Sequence, residues 1–286
     1  MKYSVFTVCM PEVPMEQVPA KLAAWGYDGV EWRTVDQKPS SDGKPAFWAG
    51  NLATLPESQA LARAQEVRQL CRQAGIQVLG LASYRRCSDR QAIAPLMEAA
   101  AAMGAGHVRI GVPGYDGSEN YNRLFKTALA DYARVEKLAA KYRVKALIET
   151  HMGLICASAS ATLRFVEHFD PKHVGVIYDP GNMVREGYEN YQAGFEILGK
   201  YLTYVHVKNA AWRKTKTEED GTVRWGVAWM PLSKGIVNWH EVLTALRRVG
   251  YDGWLSQEDF SPGRSSATKL RRNVAYLKAI EKQVSG

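Results

Sequence analysis

The residues with chemistry to offer fall at the ends of four apolar runs. In residues 144–151 (V-K-A-L-I-E-T-H) a β-prone run closes on a glutamate and a histidine, both able to bind a metal. Side chains alternate faces along a strand, so Leu147, Glu149 and His151 share one face. A carboxylate facing inward at the end of a buried strand is costly unless it is paired or bound to a cation. Three later stretches end similarly: V-G-V-I-Y-D (174–179) closes on Asp179, Y-V-H-V-K (204–208) carries His206, and W-L-S-Q-E (254–258) closes on Glu258. A buried Glu–Arg pair explains any one of these alone. Four on successive strand ends point to one divalent cation held by Glu149, Asp179, His206 and Glu258. Three carboxylates and a neutral imidazole suit Mn²⁺, Mg²⁺, Co²⁺ or Zn²⁺.

A cation chelated by adjacent carbonyl and hydroxyl oxygens of a sugar acidifies the neighbouring C–H by stabilising the enediolate. A carboxylate beside the cation can then take that proton. Returning the proton to the adjacent carbon isomerises the sugar, and returning it to the opposite face epimerises it. Losing a β-hydroxyl instead dehydrates it. Further groups belong near such a site. Glu31 ends a strand and is expected to face the cavity, touching substrate or supporting a ligand, unless it pairs with Arg33 or another base. His151 is a substrate contact or a hydrogen-bonded core histidine. Lys208 shares the face of His206 and would orient or polarise substrate. Arg109 either points inward or forms a packed ion pair near the barrel floor. His107, His168, His173 and His240 are expected at element edges or helix surfaces, in solvent.

These residues need elements that converge. Strands are predicted to start near Tyr3, Gly29, Gln77, His107, Val144, Val174, Leu202 and Gly253. Amphipathic helices are predicted over residues 56–74, 89–103, 120–142, 159–169, 239–249 and 266–283, several ending at the glycine that supplies a left-handed C-cap. Eight such strands, each followed by a helix, predict a single (β/α)8 TIM barrel over residues 1–286. An open doubly wound sheet is the alternative. No G-x-G-x-x-G or Walker-type loop opens a helix, which counts against its nucleotide-binding versions. W-G-Y-D-G-V-E-W (25–32) and V-G-Y-D-G-W-L-S (249–256) repeat one helix-to-strand unit. Two long connections, 34–55 with Trp48 and 209–237 with Trp212, Trp225 and Trp229, are expected to wall or cover one site.

Several of these stretches resemble the xylose isomerase-like barrels, a group that includes sugar isomerases and 3-epimerases. The matching segments are G-Y-D-G-V-E (26–31), I-E-T-H (148–151), D-P-G-N (179–182), V-H-V-K-N (205–209), P-L-S-K-G-I-V-N-W (231–239) and G-Y-D-G-W-L-S-Q-E (250–258). The resemblance spans nearly the whole chain. It implies the same four ligands, with Glu149 and Glu258 moving protons on opposite faces of the sugar. Asn182 and Trp212, with Glu31, His151 and Lys208, are expected to contact substrate. Three departures bear on the substrate. Asn182 stands where relatives with a D-x-x-H segment have histidine, Ser233-Lys234-Gly235 where G-E-G is frequent, and Asn209 where aspartate is frequent.

Composition narrows the rest. The chain is 46% hydrophobic and 23% charged, ordinary for a soluble globular protein. No apolar run reaches the length of a membrane span. The chain enters strand-like sequence at once, so a cytoplasmic protein is expected. The four cysteines read as buried reduced thiols. The net charge of +8 is spread along predicted helices, which argues against a nucleic-acid groove but still favours an anionic substrate. Residues 261–266 could hold phosphate, but read more simply as an N-cap by Ser265 or Ser266. The expected function is a divalent-metal-dependent isomerase or epimerase of a keto-sugar or related polyol. A lyase acting on a keto-sugar or keto-inositol is the second reading. A phosphodiesterase like the abasic-site DNA endonucleases needs many histidines, and only His151 and His206 are well placed. A non-catalytic binding barrel completes the alternatives, and a homo-oligomer is compatible with all of them.

Overall fold

Apolar runs alternating with amphipathic ones leave each strand to be covered by the helix after it. The computed structural model describes residues 1–284. Its strands are β1 (Lys2–Phe6), β2 (Gly29–Thr34), β3 (Gln77–Arg86), β4 (His107–Gly111), β5 (Lys145–Glu149), β6 (Val174–Tyr178), β7 (Leu202–Val207), β8 (Asn209–Thr217), β9 (Val223–Met230) and β10 (Trp254–Gln257). Its helices are α1 (Val18–Ala24), α2 (Ala64–Gln73), α3 (Arg90–Met103), α4 (Tyr121–Tyr142), α5 (Ala159–Val166), α6 (Pro180–Met183), α7 (Tyr191–Leu198), α8 (Trp239–Arg248) and α9 (Ser266–Val284). Eight strands close in the order β1-β10-β7-β6-β5-β4-β3-β2. All eight neighbouring pairs are parallel, which makes the molecule the expected (β/α)8 barrel.

The period of two along each strand sorts the barrel interior into layers. Leu79, Leu147, Ile177 and Tyr204 fill the lower interior, with Trp254 packed against them. Two residues further along the same strands stand Glu149, Asp179 and His206. The apolar plug therefore forms the floor on which the polar cluster rests. Gly175 belongs to this interior: a Cβ there would lie 2.2 Å from Thr203 Oγ1 and 2.9 Å from Leu147 Cδ2. The larger core lies outside the strands, where their outward residues meet the helices.

Local signals account for most element ends. Asn120, Ser158, Asn190 and Asn238 each accept first-turn N–H groups as N-caps. At the start of α9 the carboxylate of Glu12 accepts from Ser266 N and Oγ at 3.2 and 2.9 Å. Ser265 Oγ accepts from Thr268 N at 3.4 Å, the expected N-cap, and the carboxylate of Glu12 adds negative charge at the same helix end. The four cysteines are free and buried.

Three expectations need correction. The helix expected over 56–74 shortens to α2, preceded by a single turn at Glu57–Gln59 that buries no side chain. The connection 209–237 contains the antiparallel hairpin β8–β9. Its signal was present in the sequence: Asp220-Gly221 lies between two strand-like runs, with Gly221 at φ 87°. His107 is not solvated, because its Nδ1 lies 2.9 Å from the Leu79 carbonyl and its ring meets Tyr204 edge-on inside the barrel. Among the described residues no helix is long and apolar enough to cross a membrane.

Candidate active site

Strands β5, β6, β7 and β10 bring Glu149, Asp179, His206 and Glu258 together at their C-terminal ends. One donor atom from each lies within 4.8 Å of the others, and all four residues are buried. His206 Nδ1 is 3.1 Å from Glu149 Oε1, 3.6 Å from Asp179 Oδ2 and 3.7 Å from Glu258 Oε2. Three carboxylates crowding one imidazole nitrogen repel each other unless a cation stands among them. The oxygen-rich donor set with one nitrogen fits a hard or borderline divalent ion. The protein itself supplies a cation at this point: Lys208 Nζ is 2.8 Å from Asp179 Oδ2 and also pairs with Glu258 Oε2. The residues present therefore fit a divalent metal.

The surrounding groups hold these side chains in place. Glu31 is fully buried and faces the other ring nitrogen of His206, with Nε2 3.0 Å from its Oε2. Tyr204 and Ser256 donate to the same carboxylate at 2.8 and 2.6 Å. An Nε2–H directed at Glu31 leaves the Nδ1 lone pair aimed at the cluster. Glu31 thus holds the His206 ring rather than lining the cavity, and it does not pair with Arg33. Arg33 instead donates to Gln37 and Thr54. Arg109 donates to Glu149 Oε2 at 2.6 Å and lies over the rings of Phe6 and Tyr84. Asn182 Nδ2 donates to Glu149 Oε1 at 3.0 Å and Asp179 Oδ2 at 2.9 Å. Gly181 makes room for Lys208, since a Cβ there would fall 2.3 Å from Lys208 Cγ.

A cavity of about 250 Å³ opens above the cluster. Glu149, Glu258, His151, Asn182, Lys208 and Arg109 reach it, as do Trp48, Trp229 and Phe260. Asp179, His206 and Glu31 lie beneath it. Trp212 does not line it; its indole Nε1 donates to the Val184 carbonyl at 3.0 Å and its ring is half-exposed. His151 donates from Nδ1 to the Met152 carbonyl at 2.7 Å, which leaves Nε2 as an acceptor in the neutral ring. Both long connections contribute one aromatic: Trp48 from residues 34–55 and Trp229 from the hairpin, each packed against Phe260.

Burial and charge act against each other throughout. Burial alone would raise Glu149, but Arg109, His206 and Lys208 hold it well below the usual carboxylate range. Burial wins at Glu258, pushing it up to about 7 despite Lys208 and His206. Burial disfavours the charged ring of His206, yet the Glu31 and Glu149 carboxylates outweigh it and raise the imidazole well above its ordinary value. Protons and a metal therefore compete for these donors.

Arg109, Tyr204 and Ser256 matter more than their sequence positions alone suggest. The signal for two of them was the alternation itself: Tyr204 and Ser256 sit two residues before His206 and Glu258, on the same inward face.

A closed parallel barrel with a four-donor acidic cluster at its C-terminal mouth defines a class of fold and site. The xylose isomerase-like TIM barrel family model matches residues 19–280, and the chain belongs to that family. It is 28% identical over 134 residues to the inosose dehydratase of Geobacillus thermodenitrificans, a match covering 44% of this chain and 43% of that protein's length. Its fold is similar to the 3-keto-D-glucoside 4-epimerase of E. coli, with a TM-score of 0.73, 15% identity and coverage of 98% and 99% of the two chains. It is also similar to a xylose isomerase-like TIM barrel protein of Mycobacterium smegmatis solved in complex with magnesium, with a TM-score of 0.66, 18% identity and coverage of 97% and 92%. At these identities the two solved structures show a shared fold.

Proposed function

We propose that this protein is a divalent-metal-dependent enzyme that moves a proton at the carbon beside a sugar carbonyl, as an isomerase or epimerase of a keto-sugar or related polyol. The supporting observation is the placement of two glutamates. Within the four-donor cluster, Glu149 and Glu258 reach the cavity, entering from β5 and β10 with β6 and β7 between them. They flank whatever lies over the cluster and can address it from two sides.

Glu149, Asp179, His206 and Glu258 would hold the metal, which when bound supplies the Lewis acidity that makes the substrate C–H removable. Glu149 accepts the proton on one side and Glu258 returns one on the other. Lys208, held by Asp179 and Glu258, orients a substrate oxygen. Asn182 lines the cavity and, through its amide nitrogen, holds the Glu149 and Asp179 carboxylates in place. Trp48, Trp229 and Phe260 exclude water from one wall.

Turnover in D₂O tests this directly. A ketose processed by the manganese-loaded protein gains deuterium beside its carbonyl, whereas a hydride shift leaves that position unlabelled. Glu149→Gln and Glu258→Gln retain metal and lose turnover by about 10² or more. Near-normal turnover in either metal-bearing variant reduces that glutamate to a ligand.

A dehydratase is the second reading, favoured by the inosose dehydratase likeness and by the cavity ammonium of Lys208, which can protonate a departing hydroxyl. A product lighter than its substrate by one water decides for it.

A further inference from the structure

We infer that the site takes a substrate carrying an anionic group on the end away from the reacting carbons, and that Arg86 selects for that group. This inference rests on the function proposed above and narrows its substrate class.

One wall of the cavity, built from the end of β3 and from β4, carries Arg85, Arg86 and Arg109. Two of these are engaged. Arg109 pairs with Glu149 at 2.6 Å, and Arg85 pairs with Glu57 at 2.7 Å. Arg86 has no carboxylate partner among the described residues, and its side chain is exposed at the mouth. Its guanidinium lies along the loops after β4 and β5: a Cβ on Gly114 would sit 3.6 Å from Nη2, and Gly114 bridges to Leu154. Glu149 and Glu258 line the same cavity from its buried depth, whereas Arg86 lines it from the exposed mouth. A substrate filling the cavity therefore meets the glutamates at its inner end and Arg86 at its outer end.

Arg85 and Arg109 are each offset by a glutamate, so the cation on this wall left for an incoming anion, among the described residues, is Arg86. Guanidinium presents paired N–H donors that match carboxylate or phosphate oxygens. At about 250 Å³ the cavity lies just below the roughly 300–1,000 Å³ of common small-molecule sites, which suits one monosaccharide.

The test uses three ligands with one skeleton: D-fructose, D-fructuronate and D-fructose 6-phosphate. Each is titrated calorimetrically into the manganese-loaded wild type and Arg86→Gln, with metal content confirmed equal. One of the anions is expected to bind wild type about 10-fold or more tighter than D-fructose, the scale of a charged hydrogen bond. Arg86→Gln removes that advantage and leaves D-fructose within about twofold, as befits a contact confined to the anionic group. Preference for D-fructuronate assigns a carboxylate, and preference for the 6-phosphate assigns a phosphate ester. Equal binding of all three, no binding by any, or an advantage that survives Arg86→Gln overturns the inference. Deuterium exchange is followed on the same ligands. Exchange without an anion preference removes only the role of Arg86, whereas a preference without exchange removes the proton-transfer reading and leaves the anion site standing.

Discussion

At the scale of single residues, the site depends on groups that never touch its cavity. Glu31 is the clearest case. It comes from a strand separated in the barrel from His206 by β1 and β10, yet its carboxylate receives the far nitrogen of the ring. Removing its charge without changing its size weakens the orientation and basicity of His206. Glu31→Gln is therefore expected to lower metal affinity by on the order of 10- to 100-fold, the usual effect of such a supporting partner. Metal titration with a competing chelator measures this, and unchanged affinity would make Glu31 merely structural. Arg109 shows the same logic from the cavity side, since it both holds Glu149 and balances its charge.

At the scale of elements, the hairpin β8–β9 is pinned at its base by one side chain. Asn209 donates to the carbonyls of Leu232 and Val237 at 2.6 and 2.8 Å and accepts from Val237 N at 2.9 Å. Gly235 is packed against that amide so closely that a Cβ would fall 2.0 Å from Asn209 Oδ1. The departure at residue 209 thus meets Gly235 in one contact at the base of the hairpin that carries Trp229 to the cavity. Asn209→Ala leaves buried backbone groups without partners, at a cost of about 1–3 kcal/mol. Denaturant unfolding should show that loss, and limited proteolysis should show faster cleavage within residues 209–237. Unchanged stability together with unchanged cleavage would mean that the hairpin is held elsewhere.

At the scale of the whole molecule, the barrel gathers charges that its fold alone does not stabilise. On the proposed function, metal bound to the folded cluster would add about 2.7 kcal/mol at a hundredfold excess over Kd, which for a chain of this size corresponds to roughly 5 °C in Tm. Stripping metal with a chelator should lower Tm by that amount, and Asp179→Ala should show no metal-dependent shift. The sign of the pH dependence follows from the donors. His206 is raised well above its ordinary value and Glu258 to about 7, so both hold protons more tightly than free side chains do. Protons must leave before metal binds, and the metal-dependent shift shrinks as pH falls through 7. A shift that is equal at pH 6 and pH 8 would contradict this coupling.

The sequence by itself determined the barrel and the composition of its cluster. Strand alternation put Leu147 and Glu149, or Tyr204 and His206, on one face, and helix-ending glycines such as Gly75, Gly104 and Gly250 marked where several strands begin. Only the tertiary structure decided which inward residue meets which. Glu31 could pair with Arg33, contact substrate or support a ligand by any local reading, because a strand's pattern gives a face but not a partner across the barrel. Arg109 was equally open, until closure of the barrel carried β4 beside β5 and set its guanidinium on Glu149. Trp212 and Trp229 share one connection and one residue type. The hairpin register places both on one face, with Trp229 opposite Ala210 at the base and Trp212 opposite Val227 farther out, so their distance along the hairpin set Trp229 on the cavity and Trp212 on the Val184 carbonyl.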